Sequence, residues 1–214
     1  QDSLSFLLTR PEIAREQLLR AASRQFVEGD FQHWWLPETG AGVRTRISDD
    51  MVWLANCVSQ FLIVTGDTSI LDVQIPFIEG QQLEHGAHDA FFVPSISDES
   101  DTLYEHCARA LDRSLPQGAH GLPLMGTGDW NDGMNRVGEG GKGESVWLGW
   151  FLLSTLKAFI PVAEKRKDKA RATAWKLRMT DLSASLEREG WDGGWYRRGF
   201  FDDGSPLGSA QSEE

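Results

Sequence analysis

Apolar residues recur at helical spacing in separate stretches of this 214-residue chain. The intervals between them are too long, and too rich in Gly, Trp, Pro and Asp, to be ordinary connections. Pro11-Glu12-Ile13-Ala14-Arg15-Glu16 opens a first helix, with proline tolerated in the first turn and acids suited to its positive end. Leu18, Leu19, Ala22 and Phe26 continue its apolar face to about residue 27. Ser48, Asp49 and Asp50 can cap a second helix that carries Met51, Leu54, Val58, Phe61 and Leu62 to about Val64. A third runs from Ser100 or Thr102 to about Leu115. Residues 144–159 read as a buried helix, and 162–189, after Pro161, as one or two more, with Trp175, Leu177, Leu182 and Leu186 inward. The intervals 29–49, 73–100, 118–143 and the stretch from Gly190 read as loops, with at most a hairpin around 90–94. With no alternation of strand and helix a doubly wound sheet is disfavoured, and no solenoid-type repeat is present. The pattern predicts an all-α protein in which paired helices form walls and long loops at one end form a site.

Hydrophobic residues make up 40% of the chain, enough for one core or a large piece of a bigger domain. The formal net charge of -11, with no basic stripe, argues against a nucleic-acid partner. The densest basic run, Lys165 to Lys169, reads as a solvated helix face or turn. Cys57 and Cys107 sit in apolar helical patterns and read as buried free thiols, which fits a reducing compartment. No signal peptide and no stretch of 18 apolar residues is seen. His33, His85, His88, His106 and His120 lack metal-ligand spacing, so no metal is expected; the His85/His88 pair reads as a surface loop. Gly140 to Ser145 resembles a nucleotide loop but lacks its spacing and preceding strand, and reads as a bare turn.

The chemistry-bearing residues fall in the intervals. Gly128-Asp129-Trp130-Asn131-Asp132-Gly133-Met134-Asn135 places two carboxylates and an indole in a glycine-bracketed loop. An indole covers the apolar face of a pyranose while acids and amides hold its hydroxyls. Asp132 is the candidate general acid, which must hold its proton until a glycosidic oxygen takes it. The plainer alternatives are that Asp129 and Asp132 stabilise a turn, or that the loop binds Ca2+, although the terminal Glu of a calcium loop is missing. Arg44, Arg46, Asp49 and Asp50 form a second group, able to grip vicinal hydroxyls or to pair among themselves and cap a helix. In Gln32-His33-Trp34-Trp35, two adjacent indoles cannot easily both be core, so at least one faces a cavity or another domain.

Several long motifs, in order, resemble glycoside hydrolase family 94, the inverting sugar phosphorylases. They are QFVEGDFQHWW from Gln25, GVRTRISDDMVWL from Gly42, TLYEHCARAL from Thr102, GTGDWNDGMNRVG and GESVWLGW between Gly121 and Trp150, and WYRR, FDDG and PLGSAQ after Asp192. Within the family the likeness runs toward 1,2-β-oligoglucan phosphorylases and the phosphorylase-like domains of cyclic β-1,2-glucan synthases. The resemblance implies an (α/α)6 barrel, of which residues 1–214 would be the N-terminal part, truncated at both ends, with a preceding β-sandwich and the rest of the barrel outside the chain. It implies Asp132 as acid, Trp130 lining the donor-sugar subsite, Arg44 and Asp50 holding hydroxyls of that sugar, and Asp129, Trp34 and Trp35 in support. The reaction implied is phosphorolysis of a β-glucan, with inorganic phosphate as co-substrate, no cofactor, and phosphate ligands outside the chain. The wider context it leaves open is a homodimer or a membrane synthase, cytoplasmic or on the cytoplasmic side of the inner membrane. An inverting hydrolase, with Glu105, Glu144 or Asp203 as base, and a non-catalytic β-glucan-binding, length-controlling domain are the rival readings.

Overall fold

The structure, a computed structural model, describes residues 1–84 and 86–212; the expectation for His85 lies outside them. The chain divides into two compact units, Gln1–Thr45 with Asp50–Arg113, and Arg46–Asp49 with Ser114–Glu214. The all-α expectation is overturned. Among the described residues five α-helices are accompanied by eight short strands in three antiparallel sheets. The helical periodicity held, but within 29–49, within 73–102 and in the stretch after Gly190 the chain closes into ladders, which pair backbone groups that long bare loops would leave unsatisfied.

The first unit contains α1 (Pro11–Ala22), β1 (Gln32–Trp35), β2 (Gly42–Thr45), α2 (Asp50–Thr65), β3 (Gln74–Glu79), β4 (Asp89–Phe92), β5 (Ser95–Thr102) and α3 (Leu103–Arg113). The three helices bury Ala14, Leu18 and Ala22 from α1, Val52, Val58 and Phe61 from α2, and Leu103, Cys107 and Leu111 from α3. Cys57 and Cys107 are buried free thiols, as their setting in the sequence suggested, and burial pushes both thiols up. One sheet has the order β1-β2-β4, the other pairs β3 with β5. Helix α1 stops at Ala22, short of residue 27, because the chain turns there. Gln25, fully buried, donates its side-chain amide to the Gly29 and His106 carbonyls, both at 3.0 Å. His106 is buried and stacks on Phe77 with ring centroids 3.9 Å apart, its Nε2 3.0 Å from the Ile75 carbonyl.

The second unit contains β6 (Glu144–Ser145), α4 (Val146–Lys165), α5 (Lys169–Ser185), β7 (Gly199–Phe200) and β8 (Pro206–Leu207), with sheet order β6-β7-β8. Helix α4 continues through Pro161, where the sequence suggested a stop. Pro161 lies on the exposed side, where the unpaired carbonyl one turn earlier can be solvated, while Phe159, Ile160 and Ala163 are buried and hold the helix in place. By length and hydropathy α4 could cross a membrane, which the residue pattern had not suggested; half of it is buried within this unit, as in a core helix. Its Phe159 packs on the fully buried Trp175 of α5, ring centroids 5.9 Å apart. Leu177, expected inward, is 65% exposed, because the buried stripe of α5 runs through Ala172, Trp175, Arg178 and Leu182.

Candidate active site

In the second unit the interval 118–143 stays irregular, yet it is pinned at several points. Residues 46–48 run antiparallel to 126–128: Ile47 bridges Gly126, the Thr127 amide donates to the Arg46 carbonyl at 3.1 Å, and both the amide and hydroxyl of Ser48 donate to the Gly128 carbonyl. Gly126 has φ +64°, and a Cβ there would stand 2.0 Å from the Arg46 carbonyl oxygen, so only glycine permits this approach.

The two aspartates of the loop have opposite surroundings. Asp129 is completely buried. It accepts the Ser145 hydroxyl at 2.6 Å, the Asn131 amide at 3.1 Å and a short charge-assisted bond from Arg198. Ser145 also caps α4, accepting from the Leu148 amide at 2.9 Å. Asp132 lies three residues on, exposed, at the start of a 3-10 turn (Asp132–Met134) capped by Asn131, whose side chain accepts from the Gly133 amide at 3.1 Å. Trp130 is 57% exposed and leans on Trp147, centroids 6.4 Å apart; Trp147 in turn contacts Phe151 at 5.4 Å. The unit thus uses Asp129 as an anchor and presents Asp132 and Trp130 outward.

Two more carboxylates hold the same loop. Glu144, 1% exposed, accepts the backbone amides of His120 and Leu122 and lies 2.5 Å from His120 Nδ1; that ring stacks on Phe200 at 3.7 Å. Asp202 accepts the amides of Gly140, Lys142 and Gly143 at 2.7–2.9 Å. Burial pushes its carboxyl up, but the three amides outweigh that and leave it below the usual carboxylate range. The glycine-rich turn at 140–143 therefore directs its amides at the protein's own aspartate. The sequence reading had weighed Glu144 only as a catalytic base and had not singled out Ser145, Arg198 or Asp202. The one local signal was an arginine pair followed by an aspartate pair inside an aromatic, glycine-rich stretch.

In the first unit, Arg44 is 3% exposed with every guanidinium N–H group engaged. Nε donates to Asp30 at 2.7 Å, Nη2 to Asp30 at 2.8 Å and Glu28 at 3.0 Å, and Nη1 to the carbonyls of Gln81 at 3.2 Å and Gly80 at 3.5 Å. The guanidinium lies over Phe26, 3.9 Å from the ring centroid. Asp50, the first residue of α2, has its carboxylate 3.0 and 3.2 Å from His33 Nδ1. Trp34 is 47% exposed and packs on Phe91 at 5.7 Å, and Trp35 is half-buried with Arg24 5.7 Å from its ring. The structure thus brings Asp129, Trp130 and Asp132 together in one unit and His33, Trp34, Trp35 and Asp50 in the other, while Arg44 sits within an internal ion cluster.

An exposed acid and indole on a rigid loop are the surface chemistry of carbohydrate-active proteins, and comparison with known proteins places the chain in that class. Residues 1–214 match the profile of the Glycosyl hydrolase 94 superfamily, catalytic domain, and the chain belongs to that family. It is 59% identical, over its whole length, to the cyclic beta-(1,2)-glucan synthase NdvB of Rhizobium meliloti (strain 1021), of which it covers 8%. It is 35% identical, again over its whole length, to the 3-O-beta-D-glucopyranosyl-beta-D-glucuronide phosphorylase of Paenibacillus borealis, covering 26% of that protein. A 1,2-beta-oligoglucan phosphorylase of Listeria innocua is 26% identical over 74% of the chain, which covers 14% of it. The chain therefore spans less than a third of the length of these relatives.

Proposed function

We propose that the chain contributes the general acid and part of the donor-sugar subsite of an inverting β-glucan phosphorylase. The observation that carries the reading is the contrast within one loop: Asp129 is buried and held by Ser145 and Arg198, while Asp132 and Trp130 project from the same rigid turn. Family membership and the phosphorylases among its relatives support it. Trp130 stacks on the apolar face of the glucosyl unit. The Asp132 carboxyl gives its proton to the interglycosidic oxygen as the bond from that oxygen to the anomeric carbon breaks. A phosphate oxygen forms the new bond to that carbon from the opposite face, which inverts its configuration. The products are α-glucose 1-phosphate and a glucan one residue shorter, and Asp132 is left as a carboxylate.

Because phosphate is itself the nucleophile, no carboxylate base is needed, whereas an inverting hydrolase needs one roughly 6.5–9.5 Å from the acid to activate water. In the second unit, two carboxylates that could serve a hydrolase have other duties. Glu144 is buried on backbone amides. Asp203 accepts the hydroxyl and amide of Ser205, and these bonds hold its carboxyl below the usual range, making it a weak base. The β-1,2 linkage is proposed from the identity with the glucan synthase. The test is to incubate the full-length protein with β-1,2-linked glucooligosaccharides, with and without inorganic phosphate, and to follow glucose 1-phosphate. Release that depends on phosphate is expected. Reducing sugar released without phosphate would replace the reading with hydrolysis, and binding without release would replace it with glucan binding or length control.

A further inference from the structure

We infer that Trp147, in the first turn of α4, is a positioning residue for the proposed sugar site: it holds the Trp130 indole in the pose in which a glucosyl ring stacks on it, without itself touching the sugar. The inference rests on the reading of Trp130 as the stacking face. The two rings meet with centroids 6.4 Å apart and planes at 37°, and Trp147 rests in turn on Phe151, 5.4 Å away at 35°. Both contacts fall in the range of favourable aromatic pairs, ~4.5–7 Å between centroids.

The helix dictates this arrangement. Trp147 and Phe151 are one turn apart on α4, so their side chains lie one above the other on the same face. Long helical side chains lean toward the N-terminus, so an indole in the first turn overhangs the helix start, where Trp130 stands. The neighbours of Trp147 fix its direction. Val146 and Leu148 on either side are each 2% exposed, and a Cβ on Gly149 would stand 2.8 Å from Leu186 Cδ2, so this turn is packed too closely to rotate about the helix axis. Ser145, the N-cap of the same helix, holds Asp129. The start of α4 therefore grips the loop twice, through Ser145 at the residue before Trp130 and through Trp147 at Trp130 itself.

The brace matters because Trp130 is 57% exposed near the loop tip. A large ring so placed would sample several rotamers in water, and ordering it on each encounter would weaken sugar binding. Packing on Trp147 selects the rotamer before the sugar arrives. At 6.4 Å and 37° Trp147 supports the indole without lying flat on it, so an indole face stays open for a ligand.

The test is isothermal titration of the full-length protein with the β-1,2-linked glucose disaccharide, phosphate omitted, so that the readout does not depend on turnover. Trp130→Ala is expected to raise Kd at least about tenfold, and Trp147→Ala about three- to tenfold, the worth of one aromatic contact. Trp147→Phe, which keeps a flat ring, should recover most of the affinity. Trp147→Leu, which keeps the apolar packing of the helix, should not. In the Trp130→Ala background, Trp147→Ala should weaken binding no further, because the ring it braces is gone. Affinity unchanged by Trp147→Ala and Trp147→Leu, equal losses in the Phe and Leu variants, or effects at the two tryptophans that simply multiply would each overturn the inference. Parent-like binding by Trp130→Ala would overturn it together with the place of Trp130 in the sugar subsite. If this binding pattern is found but the parent releases no glucose 1-phosphate when phosphate is added, phosphorolysis fails and the inference stands.

Discussion

The intervals 29–49 and 118–143 look alike in sequence, both long, rich in glycine and marked by tryptophan and aspartate, yet they are made rigid in different ways. The first becomes a strand pair, with β2 central between β1 and β4, so backbone ladders do the holding and Arg44 is drawn into the interior between Asp30 and Glu28. The second forms almost no ladder. Its amides are gathered by the carboxylates of Asp129, Glu144, Asp202 and Asn131's amide oxygen. A ladder leaves side chains free to alternate. Carboxylate pinning leaves the loop tip irregular and open, which is where Trp130 and Asp132 stand.

The comparison can be tested most strongly at its two aspartates. Asp132→Asn is expected to lower phosphorolysis about 10²–10⁴-fold, the usual scale of a general acid, with thermal stability unchanged. Turnover near normal would remove Asp132 from that role. Arg198→Ala should do the opposite first: it leaves the buried Asp129 charge unpaired, at a cost of about 3–5 kcal/mol. Hydrogen exchange should then rise across 126–135 while the β1-β2-β4 ladder stays protected. Equal protection in both variants would mean that the loop does not depend on its carboxylate anchors. A smaller loss follows from Gly126→Ala, about 1–2 kcal/mol for the left-handed backbone alone, and more from the clash with the Arg46 carbonyl. Denaturant melts would show it, and a variant as stable as the parent would contradict the close approach of residues 46–48.

The smallest effect separates the units by pH. Burial holds the His106 imidazole below its usual range, so the unfolded chain takes up that proton first. The first unit therefore loses stability as pH falls below about 6.5. In the second unit Asp202 and Asp192 lie below the usual carboxylate range, so their contribution is complete above about 3.8 and is lost only as pH falls through their lowered values. Exchange measured between pH 6.5 and 4.5 should loosen the stack of His106 on Phe77 before the turn at 140–143. The reverse order would sink the assignment.

The sequence made the helices legible because burial imposes a stripe on each, and it failed where no stripe is needed. Strand β5 reads Ser95-Ile96-Ser97-Asp98-Glu99-Ser100-Asp101-Thr102, nearly all polar, and its partner β3 carries Pro76 at a register slip. β5 lacks the apolar alternation that marks a strand, and in β3 Pro76 interrupts the alternation of the buried Ile75 and Phe77. The indole and carboxylates of 129–132 could be picked out because they are adjacent. The division of labour between Asp129 and Asp132 follows from the family resemblance alone; the spacing leaves it open, because its physical ground is Arg198, 69 residues away. Arg44 shows the converse: its placement beside Asp30 and Glu28 follows from folding of the strand pair, and spacing along the chain carries no trace of it.

Ser145 Oγ donates to Asp129, accepts from the first turn of α4 and lies 3.3 Å from Arg198 Nη1. One oxygen atom thus joins a helix start, a loop and a strand end. For protein engineering this means the Gly126–Asn135 segment is not a transplantable cassette. A graft into another scaffold would have to bring residues 46–48, 144–148 and 198 with it, three further pieces scattered along the chain, or it would deliver the right letters in the wrong shape.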